Sequence, residues 1–362
     1  MRRPVLPTKL VLDAVEPFVR QGTADHALEL GKKTESRTLA SFFPYHADPV
    51  PFSTTIRSGW RDGDVVVEKI EYNTGPLTRA SAYAIKPKRL KTKLPGLLVF
   101  HCHSGVYRWG KEKVFATPAD SNELMKFREL KYAGQSIARH FAEKGFFVLA
   151  PDAFYFGDRA IGEEGIDAAV GEIDEARRNS EDLVAKILAL AGISWPSIVS
   201  WEDRRALDYL CERQEVDPTR IGCLGLSFGG FRSLMLAALD RRIRAIVTAC
   251  WLTTTRDFFE GKIANHSWMV LPWGIYPEID FPKIVANALP AAFLVLNCSR
   301  DHLFSLKNMR KAAATASRYY RKAGAEGLFS AKFFDSPHCM TMGMLESAIE
   351  WMETFLVANS SL

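Results

Sequence analysis

The sequence predicts an α/β fold: a mostly parallel central sheet of about eight strands with helices on both faces. Three observations lead there. Short apolar runs alternate along the chain with longer segments of helical periodicity. One run, Pro95-Gly-Leu-Leu-Val-Phe100, is apolar throughout, as suits a parallel strand buried on both faces. The stretch Arg220-Ile-Gly-Cys-Leu-Gly-Leu-Ser-Phe-Gly-Gly230 passes from an apolar run through Gly-x-Ser-x-Gly into Phe231 to Asp240, which is apolar at helical spacing.

Taken in order, residues 8–34 hold two short amphipathic helices, around Leu10-Val11-Ala14-Phe18 and Ala27-Leu28-Leu30, expected to pack on the main domain. Residues 35–60, with Pro44, Pro49 and Pro51, read as irregular, so residues 1–60 form an N-terminal extension. Residues 61–362 form the main domain. Val65 to Tyr72 is a strand, Asn73-Thr-Gly-Pro76 a turn, and Arg79 to Pro87 the antiparallel partner. After the strand Pro95 to Phe100 come a helix over 132–144 and the buried strand Phe146 to Ala150. An acidic helical insertion follows at about 156–193, then a helix over 201–213 and a strand over 221–224. The remaining strands are 243–250, 291–297 and 328–334, with helices at 305–323 and 344–357. A second, aromatic-rich insertion spans about 252–289, far longer than the usual connection.

Composition sets limits. The chain has 362 residues, 47% of them hydrophobic and 25% charged, which are ordinary globular proportions. A net charge of +5 with no basic stripe interleaved with aromatics gives no basis for nucleic-acid binding. The six cysteines form no Cys-x-x-Cys pair, and four of them (Cys102, Cys223, Cys250, Cys298) sit in or beside apolar runs as small core residues. No run reaches membrane-span length, and Asp13 and Glu16 interrupt any N-terminal apolar segment. The expectation is a cytoplasmic protein with no membrane partner and no cofactor, for which a homo-oligomer is allowed.

The chemistry gathers at the strand ends. A serine held in a tight strand-to-helix turn needs glycines beside it, and the following helix aims its N-terminal amides at developing negative charge. A serine hydroxyl also needs a base, and that base a carboxylate to fix its tautomer. Ser227 is the candidate nucleophile. Asp301, at the end of Leu294-Val-Leu-Asn-Cys-Ser-Arg-Asp301, is the preferred acid; Asp257 and Asp240 are alternatives. His338, in Asp335-Ser-Pro-His-Cys-Met340, is the preferred base ahead of His302 and His266. The amide of Phe228 and that of His103, with Ser104 second, are the candidate oxyanion donors. His101 and His103 share one strand face and could ligate zinc, but no third ligand follows, so no metal is expected and a structural role for one imidazole, shaping the oxyanion loop, is preferred. The substrate-binding set is His101, Tyr107, Trp251, His266, Trp268 and Trp273, with Trp268 or Trp273 walling the pocket from the second insertion.

Together these residues resemble the α/β-hydrolase superfamily, in the branch of acetyl xylan esterase-like and dienelactone hydrolase-like proteins. His101-Cys-His-Ser-Gly105 resembles that branch's His-Gly-His-Gly oxyanion segment, with Cys102 in place of a glycine. Pro151-Asp-Ala-Phe-Tyr-Phe-Gly-Asp-Arg159 resembles its Pro-Asp-x-x-Gly-x-Gly-Asp-Arg stretch, and the Asp301 strand its Leu-x-Gly-x-x-Asp-x-Leu-Phe pattern. The likeness covers about residues 64–358. It implies a serine carboxylesterase acting on a small-molecule ester, an acetylated carbohydrate or a xenobiotic. Dienelactone hydrolases carry a cysteine nucleophile where this chain has Ser227, which disfavours their substrate. A serine peptidase or amidase of the same fold is the second possibility. A non-catalytic binding protein on this fold is the third.

Overall fold

A computed structural model describes residues 7–21, 23–24, 38–89, 92–162, 170–276 and 278–357. At the N-terminus, helix α1 (Thr8–Gln21) precedes a two-strand pair, β1 (Thr23–Ala24) with β2 (Tyr45–His46). The main sheet then builds from β3 (Thr55–Asp62), β4 (Val65–Gly75), β5 (Thr78–Pro87) and β6 (Leu94–Phe100). Helices α2 (Asn122–Tyr132) and α3 (Ile137–Glu143) lead to β7 (Phe147–Pro151). Helices α4 (Val170–Leu190) and α5 (Trp195–Glu212) lead to β8 (Val216–Leu226), which runs into α6 (Phe228–Leu239). The chain continues through β9 (Ile243–Ala249), α7 (Arg256–Phe259), α8 (Phe281–Asn287), β10 (Ala292–Cys298), α9 (Leu306–Lys322), β11 (Phe329–Phe334) and α10 (Met342–Leu356).

The nine-stranded sheet has the order β11-β10-β9-β8-β6-β7-β5-β4-β3. The strands from β11 to β7 are parallel, and β5, β4 and β3 continue the sheet as an antiparallel ribbon. Alternation along β6 shows why the sheet is sandwiched. Leu98 and Phe100 belong to one buried cluster, Leu97 and Val99 to the other. The first face is covered by α5 and α6 through Leu207, Leu210, Phe231 and Leu234. The second is covered by α3 and α10 through Phe141, Leu345 and Met352. Each such fully buried side chain contributes about 1.5–3 kcal/mol. A one-residue slip would exchange the two faces, so the register is fixed. Helix α1 joins the first cluster through Val11, Val15 and Phe18, the last of these 4.5 Å from the Phe154 ring.

Several expected boundaries shift. Residues 55–60, expected to be irregular, belong to the edge strand β3, which among the described residues pairs only with β4. Most of its side chains are exposed, so its sequence lacks the apolar alternation that marks a strand. The helix expected over 132–144 is the shorter α3, which left-handed turns at Ala133 (φ 51°) and Gly134 (φ 72°) separate from α2, a helix not expected from the sequence. Ser121 caps α2 by accepting from Leu124 N at 3.2 Å. Helix α5 starts six residues earlier than Trp201, with Pro196 in its first turn, where proline costs no hydrogen bond. The expected helix around Ala27–Leu30 lies outside the described residues. Among the described residues, no single helix is long and apolar enough to cross a membrane.

Candidate active site

Ser227 stands between β8 and α6 at φ 58°, ψ −115°, a left-handed position for a non-glycine residue. The glycines around it are forced by contact. A Cβ on Gly225 would lie 2.4 Å from the Gly229 backbone, and one on Gly229 only 2.2 Å from Phe100 O. The turn is therefore pressed against the end of β6, and Ser227 N is tied to Ala249 O at 2.7 Å. This geometry lifts the hydroxyl into a cavity of about 380 Å³, which Ser227, His338, Tyr107, Trp251 and His266 help to line.

The turns after β10 and β11 bring Asp301 and His338 together. His338 Nδ1 donates to Asp301 Oδ2 at 2.7 Å, and Asp301 Oδ1 accepts from Leu303 N at 2.8 Å. The carboxylate is wholly buried and the imidazole nearly so. With Nδ1 donating to Asp301, Nε2 is the ring nitrogen left for chemistry, buried and without a hydrogen-bond partner among the described residues. The alternative acids are occupied elsewhere. Asp257 accepts from Ser305 Oγ (2.6 Å), Ser305 N (3.1 Å), Asn308 Nδ2 (2.7 Å) and the Thr253 hydroxyl, anchoring the start of α9. Asp240 binds Arg242 at the far end of α6. His302 lies ring to ring with His338 at 5.9 Å. His266 Nδ1 is tied to Lys262 O at 2.9 Å, and burial lowers its pKa, so a neutral imidazole presents its other nitrogen.

The loop 101–106 is fixed from several directions. His103 Nδ1 accepts from Gly105 N at 3.0 Å, so its Nε2 bears the proton and donates to Glu181 at 2.9 Å. Tyr107 Oη donates to the same carboxylate oxygen at 2.7 Å. Burial works against the Glu181 charge, yet His103, Tyr107 and Ser267 hold its pKa below the ordinary value. Arg178 donates to Gly105 O at 3.0 Å. Glu181 and Arg178 both belong to α4, so the first insertion braces this loop. Lys113, wholly buried, donates to the carbonyls of Cys102 (3.0 Å), His103 (3.0 Å) and Val106 (2.7 Å). Burial pushes its pKa down to about 8. Ser104 takes φ 55° within the loop.

Several expected site residues belong elsewhere. His101 is fully buried beneath the loop: Nδ1 donates to Cys102 O at 3.0 Å and Nε2 accepts from Ala153 N at 3.2 Å. Burial holds its pKa well below the usual histidine value, and it does not line the cavity. With all four nitrogens of His101 and His103 engaged, the pair offers no metal ligand. Trp268 and Trp273 also stand away from the cavity, 43% and 42% exposed. The second insertion folds back onto α4, where Trp268 Nε1 donates to Asp182 at 2.6 Å, and turns outward at Trp273-Gly274. The wall it supplies comes instead from His266 and Val270, beside Trp251.

Two groups of described residues have ligand atoms within 4.8 Å of one another. In Glu112–Asp152–Asp158 the buried Lys111 ammonium contacts all three carboxylates at 2.8 Å, filling the place a cation would take. In Cys250–Asp301–His338 the acid and imidazole are engaged with each other. The Asp152 centre also explains the Pro151 to Arg159 stretch. A Cβ on Gly157 would lie 2.5 Å from the Asp152 carboxylate, so this segment wraps a buried ion pair. Lys113, Glu181 and Arg178 had no motif to mark them.

Comparisons with known proteins agree with this architecture. The model of the Dienelactone hydrolase family matches residues 130–257. The Bacillus subtilis (strain 168) protein named "Putative hydrolase YtaP" is 25% identical over 299 residues, covering 80% of this chain and 88% of the relative. A glucuronoyl esterase from Solibacter usitatus superposes with a TM-score of 0.59 at 13% identity, covering 95% of this chain and 91% of that one. An acetyl xylan esterase from Paenibacillus sp. R4 gives 0.53 at 19% identity, covering 85% and 90%. The chain thus has the α/β-hydrolase fold, and its residues 130–257 are similar to the Dienelactone hydrolase family.

Proposed function

We propose that the protein is a serine carboxylesterase that hydrolyses a small ester through Ser227, His338 and Asp301. The observation that carries this reading is the buried His338–Asp301 pair at 2.7 Å, whose unpartnered Nε2 belongs to a residue lining the same cavity as Ser227. His338 Nε2 takes the Ser227 proton as Oγ attacks the ester carbonyl. Asp301 stabilises the resulting imidazolium and keeps the proton on Nδ1. The amides of Phe228 and of His103 or Ser104 receive the tetrahedral oxyanion. Collapse expels the alcohol, which His338 protonates, and water then releases the acid by the reverse use of the same groups. A cavity of about 380 Å³ is at the small end of ligand sites and suits a short acyl group. An acetylated carbohydrate or a xenobiotic ester fits this description, and the likeness in fold to a glucuronoyl esterase and an acetyl xylan esterase supports the bond type. The test compares p-nitrophenyl acetate with an aminoacyl p-nitroanilide. Hydrolysis of the ester alone, abolished in Ser227→Ala, is expected. Preferential anilide cleavage would make the protein a peptidase or amidase, and no turnover of either would favour a binding protein.

A further inference from the structure

We infer that Lys113 is the positioning residue of the oxyanion hole, its ammonium turning the amides of His103 and Ser104 toward the cavity. This rests on the serine esterase reading above. A trans peptide is planar, so its C=O and N–H point in opposite directions. Lys113 Nζ holds the carbonyls of Cys102, His103 and Val106 at 2.7–3.0 Å. The N–H groups of the same three peptides, those of His103, Ser104 and Tyr107, therefore point away from it. The third peptide shows the consequence: Tyr107 N–H reaches Asp174 Oδ1 at 3.0 Å. The other two amides have no acceptor among the described residues, and His103 and Ser104 are loop residues that line the cavity with Ser227.

The lysine is also costly to keep there. An ammonium has three N–H donors, and all three are spent on carbonyls. Among the described residues no carboxylate forms an ion pair with it, and it lies 4.6 Å from the Phe156 ring centre. Burying a charge with no counter-ion costs free energy that the three carbonyl hydrogen bonds must offset, and a methionine would remove the charge but also take the donor from those carbonyls. The depressed pKa of Lys113 records the same cost. A charge behind the two peptides further polarises their N–H groups toward an incoming oxyanion.

The test measures kcat and KM for p-nitrophenyl acetate, and the affinity for phenylboronic acid as a tetrahedral mimic, in wild type, Lys113→Met and Lys113→Gln. Lys113→Met should lower kcat about 100- to 1,000-fold, as removal of an oxyanion donor does. Its KM should stay within about threefold, since the ground-state carbonyl needs little from these amides. Boronate affinity should fall with kcat. Lys113→Gln, which keeps two donors without the charge, should fall between the two and is the deciding variant if Lys113→Met fails to fold. A folded variant with near-normal kcat, or one whose loss is confined to KM, would overturn the inference. A wild-type protein that neither turns over the ester nor binds the boronate would instead remove the esterase reading.

Discussion

Asp301→Asn isolates the acid of the proposed triad, and the structure dictates how the amide will sit. Asp301 Oδ1 accepts from Leu303 N at 2.8 Å, so the asparagine oxygen must face that donor. Its NH₂ then faces His338 Nδ1, where the carboxylate oxygen stood at 2.7 Å. Nδ1 must become an acceptor, and the imidazole proton moves to Nε2, the nitrogen meant to take the serine proton. Turnover should fall about 10⁴-fold, or roughly 5 kcal/mol of transition-state stabilisation. The fold should change little, because the Asp301 side chain's hydrogen bonds with Leu303 N and His338 Nδ1 are both kept. Asp257→Asn is the control. Its carboxylate accepts from four donors, so an NH₂ there must meet another donor head-on and cost about 1–3 kcal/mol. That variant should melt several degrees earlier with kcat nearly intact. Ester hydrolysis and thermal melts on both proteins decide the matter. Asp301→Asn within tenfold of wild type, or Asp257→Asn as the variant that loses turnover, would refute the reasoning.

Other expectations follow from contacts. Gly229→Ala puts a Cβ 2.2 Å from Phe100 O, so the elbow must shift by roughly 1 Å and kcat should drop about 100-fold; unchanged kcat would mean the turn is not held against β6. Glu181 has a lowered pKa in the fold, so its contribution to stability is present above the ordinary value near 4.5 and is lost as pH falls through the folded value. Glu181→Gln should flatten that acid limb of the melting temperature against pH and lower kcat; an identical profile would show that the His103 contact carries nothing. Trp268→Ala should leave the ranking among esters of different alcohols unchanged, since its indole serves Asp182 rather than the cavity; a changed ranking would restore it to the pocket wall.

The parts of the molecule that could be read from sequence are those where local pattern and tertiary role coincide. Gly225, Ser227 and Gly229 specify a turn that nothing but glycine can make, and the apolar runs at 95–100 and 291–297 can only be buried strands. Asp301 and His338 follow from their places after successive strands, and the structure brings them to hydrogen-bonding distance. Lys113 could not be recognised this way. In Lys111-Glu-Lys113 it looks like a solvated charge, and only the surrounding fold makes it a buried donor to three carbonyls. His101 failed in the opposite direction, for a histidine beside a pocket motif looks functional until both its nitrogens are found inside the core. Trp268 and Trp273 failed because an aromatic-rich connection says nothing about which side of it faces the cavity.

The most direct test of the esterase proposal is covalent labelling with a fluorophosphonate, followed by intact-mass and peptide mapping of the native protein. One phosphonyl group per chain should appear, on the peptide containing Ser227, with ester hydrolysis lost in the same proportion. Ser227→Ala should take up no label. Labelling at any other residue, or full esterase activity in protein fully labelled at Ser227, would contradict the assignment of that serine as the nucleophile.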